Sequence, residues 1–118
     1  MPRVSICIPA YNPDYFELCL RSALAQSFVD AEILVSDDCP TDAIKVICDK
    51  YVRFVQYSRN PNPGPESNVR RLVQIANGEY IKFLFDDDVL HPFACNSCWR
   101  HSMRQGIEIR ALRFLHAI

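Results

Sequence analysis

Short apolar runs alternate with amphipathic stretches along the whole of this chain. The runs whose length and composition predict β-strands are residues 4–8, 32–35, 54–57 and 79–85. The stretches in which apolar residues recur at the helical period are 15–26, about 41–51, 67–76 and about 92–104. Strands that alternate with helices in this way predict right-handed crossovers and a mostly parallel sheet flanked by helices. The predicted fold class is therefore α/β. Because no linker or repeat divides the chain, residues 1–118 are expected to form one domain.

The last predicted strand runs directly into three consecutive carboxylates, Asp86, Asp87 and Asp88. Its apolar residues, from 81 to 85, predict a strand buried on both faces, as in the middle of a parallel sheet. Like charges packed this closely repel one another unless a cation or hydrogen-bond donors compensate them. Hard oxygen ligands suit Mg²⁺ or Mn²⁺ that carries a substrate's phosphates. The alternative interpretation is a solvated turn whose aspartates cap the helix after Pro92.

Polar residues follow three of the four predicted strands. The first strand is followed by residues 9–12, which are Pro-Ala-Tyr-Asn, the second by Asp37 and Asp38, and the fourth by the aspartate triplet. The carboxyl ends of parallel strands share one edge of a sheet, and ligands of open α/β sheets bind there. The sequence therefore predicts that an aromatic ring, an amide and five carboxylates converge on a site for a metal ion and a phosphorylated or polar molecule.

Composition excludes several other classes of function. Lys and Arg number 13 against 14 Asp and Glu, so the chain lacks the basic surface expected of a nucleic-acid-binding protein. No apolar run approaches the roughly 18 residues of a transmembrane segment. The six cysteines are scattered through the predicted elements, as is typical of buried free thiols in a cytosolic protein. Cys95 and Cys98 have the spacing of a metal or redox pair, but no second pair completes a zinc site, which favours a structural role.

An ordered set of motifs resembles family 2 glycosyltransferases of the GT-A fold. The matching segments are residues 4–12, 32–38, Asn62-x-Gly64, Asn68, and 78–81 followed by 86–88. Each motif is weak alone, but the set keeps the order and spacing of the family over roughly residues 3 to 104. The resemblance implies a Rossmann-like nucleotide-diphospho-sugar transferase fold. It also implies a nucleotide-sugar donor, most often a UDP-sugar, and transfer of the sugar with inversion.

The resemblance also implies roles for individual residues. The residues that would line the uracil and ribose pocket are Pro9, Ala10, Tyr11 and Asn12. Asp38 would accept a hydrogen bond from the uracil ring N–H. Asp86 and Asp87 would face the ribose and the diphosphate as part of the family's DXD element. Asp88, together with Asp87, would hold Mn²⁺ or Mg²⁺, which neutralises the diphosphate as it leaves. Asn68 would brace a loop or line the donor pocket, or is instead an exposed amide on a helix surface.

Family members continue well past the aspartate triplet, into an acceptor-binding half that carries a carboxylate general base. This sequence ends about 30 residues after Asp88, and its last segment offers only Glu108. The three histidines, His91, His101 and His116, pair with no nucleophile. We therefore expect the nucleotide-sugar-binding half only, incomplete at its C-terminus and without a general base. The alternative to a metal-assisted transferase is a truncated, non-catalytic module that binds a nucleotide and a metal.

Expectations about partners and location follow from the same resemblance. The partners would be the nucleotide-sugar donor and a glycan or lipid acceptor in cell-wall or polysaccharide biosynthesis. The location would be cytoplasmic, peripheral at the inner face of the membrane. An exposed apolar edge at the truncation would favour self-association. The rival from another class is a phospho-acceptor signalling domain, but that fold requires its acidic pair after the first strand, where this chain has residues 9–12.

Overall fold

The computed structural model describes residues 2–26 and 30–87. The strands are β1 (Val4–Ala10), β2 (Ala31–Asp37), β3 (Gln56–Arg59) and β4 (Tyr80–Phe83), and the helices are α1 (Phe16–Leu24), α2 (Ala43–Asp49) and α3 (Pro65–Ile75). Strands and helices alternate as the apolar pattern predicted. The predicted fourth helix, Cys95 and Cys98 lie outside the described residues. Among the helices in the described ranges, none is long and apolar enough to cross a bilayer.

The strands form one sheet in the order β3-β2-β1-β4, and every neighbouring pair is parallel. The predicted parallel sheet with flanking helices is therefore confirmed. The chain moves outward from β1 to β3, and α3 then returns it to the other side of β1, so the strand order reverses between β1 and β4. This is the Rossmann order. A phospho-acceptor domain of the flavodoxin type would instead place its third strand beside its first. The strand order therefore excludes that rival.

The sheet is covered on both faces, which explains why β1 is buried at every position. One face packs against α1 and α2 through a core that includes Ile6, Phe16 and Ile44. The opposite face packs Cys7 of β1 against Leu72 of α3 in a smaller cluster. The described cysteines, which are Cys7, Cys19, Cys39 and Cys48, are buried, as the sequence predicted for them.

The first strand extends further than predicted, because Pro9 does not end it. Leu84 N–H donates to the Cys7 carbonyl, whereas Asp38 N–H donates to the Ala10 carbonyl. Odd-numbered residues of β1 therefore bond toward β4, and even-numbered residues bond toward β2. Pro9 faces the β4 side, where the pairing has already ended at the Cys7–Phe83 pair. Its missing N–H consequently breaks no ladder bond, and β1 continues to Ala10.

The prediction that residues 79–85 form a strand buried on both faces is wrong for the described residues, where the strand is shorter and only partly buried. β4 ends at Phe83 and pairs only with β1 within the described part of the chain, so β1 and β2 are the interior strands there. Lys82 and Phe83 are half-buried, and Phe85 is 50% exposed. A run of apolar residues indicates burial, but it does not reveal which neighbours a strand has in the sheet.

The first residues of β3 and α3 are each displaced by two positions from the predicted ones. Phe54 N–H donates to the Tyr51 carbonyl in a turn, so β3 begins at Gln56 and not at Phe54. Helix α3 begins at Pro65 and not at Ser67, because proline is favoured at the first helical position, where its missing N–H costs nothing.

Candidate functional site

A pocket of about 580 Å³ lies at the carboxyl edge of the sheet, where β1, β2 and β4 end. It is lined by Pro9, Tyr11, Asp38, Pro63, Gly64, Pro65, Asn68, Val69, Phe85 and Asp86. The pocket adjoins the point where the strand order reverses, which is where open α/β sheets bind their ligands. Its volume lies within the range of small-molecule sites, about 300–1,000 Å³. The pocket therefore lies where the sequence predicted that the strand ends converge.

Asp86 joins the end of β4 to the loop that follows β1. Its Oδ2 accepts hydrogen bonds from the backbone N–H groups of Tyr11 and Asn12, each at 2.7 Å. The parallel register pairs Cys7 with Phe83, so residues a few positions further along each strand face each other. Hydrogen bonds that an ionised carboxylate accepts are shorter and stronger than neutral ones. The loop is therefore held at the pocket by its backbone, while the Tyr11 side chain remains 63% exposed.

Asp38 lines the pocket and carries a buried, unpaired acceptor. Its N–H donates to the Ala10 carbonyl at 2.8 Å, which keeps the ends of β1 and β2 together. Its Oδ2 accepts the Gly64 N–H at 3.0 Å. Its Oδ1 is buried and has no hydrogen-bond partner among residues 2–26 and 30–87. Buried polar atoms in folded proteins are almost always paired, so an unpaired acceptor on a pocket-lining residue makes Asp38 a candidate for contact with a ligand's donor.

Gly64 can reach Asp38 because of its backbone conformation. Its φ is 147° and its ψ is 146°, a combination that is essentially restricted to glycine. Gly64 immediately precedes α3 and stands between Pro63 and Pro65, which also line the pocket. Gly64 belongs to a motif of the family resemblance, but the sequence assigned it no role in the site. The signal that was available is a glycine between two prolines directly before a helix.

Asn68 is buried in α3, with 2% of its surface exposed, so the interpretation as an exposed helix amide is wrong. Its Nδ2 donates to the Ser36 carbonyl of β2 at 3.0 Å. A carbonyl oxygen can only accept, so the amide nitrogen must face Ser36 and the amide oxygen must face away. That oxygen, Oδ1, is buried and has no hydrogen-bond partner in the described part of the chain. Asn68 therefore braces α3 against β2 and also lines the pocket.

Asp37 is fully buried, but it supports the site from behind and does not line it. Its Oδ1 accepts the Cys39 N–H at 2.7 Å, and its Oδ2 accepts from the Tyr57 hydroxyl at 2.6 Å and from Arg59 at 3.3 Å. Burial and the hydrogen bond to Asp37 raise the pKa of Tyr57 to about 12. These bonds hold the turn that carries Asp38. The prediction that five carboxylates converge on the site is therefore wrong for Asp37.

The structure brings together five of the residues predicted for the nucleotide site, which are Pro9, Tyr11, Asp38, Asn68 and Asp86. Two others lie beside the lining residues. Ala10 is buried behind the pocket, and Asn12 is exposed next to it. Sequence reasoning assigned no site role to the remaining lining residues, Pro63, Gly64, Pro65, Val69 and Phe85.

The predicted metal site is only partly within the described residues. Asp87 is exposed at the end of the β4 segment, and Asp88 lies outside the described ranges. Among the residues that are described, no three His, Cys, Asp or Glu side chains are grouped closely enough to hold a metal ion. The assignment of Asp87 and Asp88 as metal ligands stays a prediction, and exposed carboxylate oxygens are the donors that Mn²⁺ and Mg²⁺ prefer.

The fold and the pocket define a Rossmann-type α/β domain with a ligand-sized site where its strand order reverses. The model of the family described as glycosyl transferase family 2 matches residues 5–106. The chain therefore belongs to glycosyl transferase family 2, and the relationship predicted from its motifs is confirmed.

Relatives and solved structures agree with this assignment. The chondroitin synthase of Pasteurella multocida (strain Pm70) is 38% identical over 108 residues, which cover 88% of this chain and 11% of the synthase. The crystal structure of S. aureus TarS 1-349 in complex with UDP superposes with a TM-score of 0.76 at 26% identity, and covers 86% of this chain and 32% of TarS 1-349.

The likeness to a second solved structure concerns the fold only. The mannosyltransferase PcManGT from Pyrobaculum calidifontis, solved with GDP-Man and Mn²⁺, gives a TM-score of 0.69 at 20% identity, over 82% of this chain and 30% of that one. The predicted GT-A fold is thus confirmed. This chain spans about a tenth to a third of the length of these proteins.

Proposed function

We propose that this chain binds the nucleotide of a nucleotide-sugar, in particular a UDP-sugar, as the donor site of an inverting glycosyltransferase. The observation that carries the proposal is the unpaired, buried Oδ1 of Asp38 in the pocket at the carboxyl edge of the sheet. Membership of glycosyl transferase family 2 and the likeness to TarS, which was solved with UDP, support the same donor.

Recognition of the base would depend on Asp38. Its Oδ2 accepts the Gly64 N–H, and its Oδ1 is buried and unpaired, so Oδ1 would be the acceptor for the base. The uracil ring carries one N–H donor between two carbonyl groups, and this donor would satisfy Oδ1. Leaving a buried acceptor unpaired costs about 1–3 kcal/mol, so a base without a donor at that position would bind about tenfold or more weakly. The residues that would surround the uracil and ribose are Pro9, Ala10, Tyr11, Asn12 and Asn68.

The diphosphate would lie beyond the end of β4, near Asp86 and Asp87. Asp87 and Asp88 would hold Mn²⁺ or Mg²⁺, whose charge stabilises the diphosphate as the bond to the sugar breaks. Asp87 fits that role because it is exposed and follows the pocket-lining Asp86 directly.

Transfer of the sugar also requires an acceptor hydroxyl and a general base, and neither role is assigned to a described residue. The relative named chondroitin synthase supports a growing glycan as the acceptor, in polysaccharide or cell-wall synthesis. We place this activity at the cytoplasmic face of the membrane. Donor hydrolysis or sugar transfer would distinguish an enzyme from a module that binds the nucleotide without catalysis.

Calorimetric titration of UDP and of CDP into the wild-type chain and into Asp38→Asn tests the proposal. In the variant, the amide oxygen must accept the Gly64 N–H, so the amide nitrogen takes the position of Oδ1 and presents a donor. UDP should then bind about tenfold or more weakly. CDP should lose less affinity or gain some, because cytosine carries an acceptor at the corresponding ring position.

Asp42→Asn is the matched control, since Asp42 is exposed and does not line the pocket. It should bind UDP as the wild-type chain does. Failure of a folded wild-type chain to bind UDP, or equal UDP affinities for Asp38→Asn and wild type, would contradict the proposal.

A further inference from the structure

Asp86 accepts hydrogen bonds from the backbone of the loop after β1, a role that differs from binding a metal or a phosphate. We infer that Asp86 is a positioning residue, which shapes the nucleoside part of the pocket through the backbone of Tyr11 and Asn12 and does so without a metal. The inference rests on the proposed function, because it concerns the same pocket.

Asp86 accepts hydrogen bonds from the first two backbone N–H groups of the loop after β1. Tyr11 and Asn12 follow the last residue of the strand, and both their N–H groups donate to the single Oδ2 of Asp86 at 2.7 Å. The exposed Tyr11 ring is therefore positioned at the pocket by its own hydrogen-bonded backbone. Pro13 restricts Asn12 to extended conformations, which leaves the loop few alternatives once the two bonds are made.

Asp86 is itself held on its own side of the crevice. The last backbone bond between β1 and β4 is the one that Leu84 N–H donates to the Cys7 carbonyl. Beyond it, the thiol of Cys19 in α1 donates to the Phe85 carbonyl at 3.3 Å. Phe85 is thus tied to the helix that follows β1, and the next residue is directed at the Tyr11–Asn12 backbone. The Asp86 carboxylate therefore connects the end of β4 to the loop after β1 at a point where these two strands no longer pair.

Loss of the Asp86 carboxylate would therefore release one wall of the pocket. The change would weaken binding of the nucleoside even where no phosphate and no metal are present. A residue that acted only on the diphosphate or the metal would instead leave the binding of a bare nucleoside unchanged. Uridine, which has no phosphate, separates these two roles when it is titrated in the presence of EDTA.

Titration of uridine, followed by NMR in EDTA, tests the inference on Asp86→Ala, Asp86→Asn and Asp42→Ala. Asp86→Ala should bind uridine about tenfold more weakly than the wild-type chain, because it loses both bonds. Asp86→Asn should recover part of that loss, since its amide oxygen can still accept from the loop. Asp42→Ala should match the wild type. Unchanged uridine affinity in Asp86→Ala, with weaker UDP binding in Mn²⁺, would overturn the inference.

Amide hydrogen exchange tests the same bond in the ligand-free chain. The N–H groups of Tyr11 and Asn12 should exchange about tenfold or more faster in Asp86→Ala than in the wild type, and should stay protected in Asp42→Ala. Equal exchange in Asp86→Ala and the wild type would overturn the inference whatever the ligand results. If the wild-type chain binds neither uridine nor UDP, the proposed function fails, while exchange still decides whether Asp86 holds the loop.

Discussion

The backbone N–H of Gly64 donates to Oδ2 of Asp38 at 3.0 Å and so joins the end of β2 to the start of α3. The other carboxylate oxygen, Oδ1, is buried and has no hydrogen-bond partner among the described residues. The bond to Oδ2 requires a backbone at residue 64 that only glycine adopts readily, with φ at 147°. The backbone conformation of Gly64 therefore determines which carboxylate oxygen of Asp38 remains unpaired.

Substitution Gly64→Ala should reduce both stability and UDP affinity. An added Cβ has room, since its nearest neighbour would be the Ser67 Oγ at 3.5 Å, but the positive φ makes alanine strained there. We expect the free energy of unfolding to fall by about 1–3 kcal/mol, measured by urea denaturation. UDP affinity should also fall, because the N–H that orients Asp38 shifts. The exposed α3 residue Gln74, changed to Ala, is the control. Wild-type affinity in Gly64→Ala would contradict the role of Gly64.

Substitution Gly78→Ala should reduce stability without affecting UDP affinity. A Cβ at residue 78 would lie 2.8 Å from the backbone nitrogen of Ser5, so the backbone must shift. It would also disturb the bond that Gly78 N–H donates to the Ser5 hydroxyl at 2.9 Å. We expect a loss of about 1–3 kcal/mol in urea unfolding. Gly78 precedes β4 and does not line the pocket. Reduced UDP affinity in the folded variant would therefore contradict the prediction that a change at this end of the sheet leaves the pocket unaffected.

The contribution of Tyr57 to stability should disappear at alkaline pH. Its pKa is raised from 10.0 to about 12 in the folded chain by burial and by the hydrogen bond to Asp37. Between these values the unfolded chain loses its proton first, so stability falls as pH rises, and the stabilisation is complete only below about pH 10.

Urea unfolding of the wild type and of Tyr57→Phe measures this effect. At pH 7 the wild type should be more stable by about 1–3 kcal/mol, since the variant lacks the bond to the buried carboxylate. The difference should shrink between pH 10 and pH 12, the range set by the two pKa values. A difference that stays constant over that range would contradict the shift.

Removal of the metal should weaken the binding of UDP but not that of uridine. If Asp87 and Asp88 hold Mn²⁺ against the diphosphate, chelation with EDTA and the substitution Asp88→Asn should have the same effect. We expect about tenfold or more weaker UDP binding in calorimetry. Asp42→Asn in Mn²⁺ serves as the control. Equal UDP affinity for the wild-type chain in Mn²⁺ and in EDTA would contradict a metal at this site.

Sequence patterns identified the fold because its elements depend on local spacing. The apolar periods of β1, α1 and α3 predicted each element, and the alternation of strands and helices predicted a parallel sheet. The ends of β1 and β4 were recognised as parts of one site because polar residues followed apolar strands. The family was recognised from the same short motifs, which retain their order.

The sequence did not reveal how individual side chains are used within that site. Asp37 and Asp38 are neighbours of the same type, yet one is buried behind the site and the other lines the pocket. Neighbouring positions at the end of a strand face opposite sides of the sheet, and only the packing of α3 and β3 decides which side is the pocket. The sequence also left open whether Asn68 braces a loop, lines the pocket or is a surface amide, because its partner is a carbonyl in a distant strand.

By itself, the sequence determined the α/β class, the order of the elements, the family and the edge of the sheet where the pocket lies. These features follow from periodicity and from short motifs, which need no knowledge of distant contacts. Tertiary structure alone decided that β4 lies outside β1, that Gly64 orients Asp38, and that Asp86 bonds to the loop after β1. Each of these is a contact between residues far apart in the chain, and such contacts exist only after the sheet has assembled.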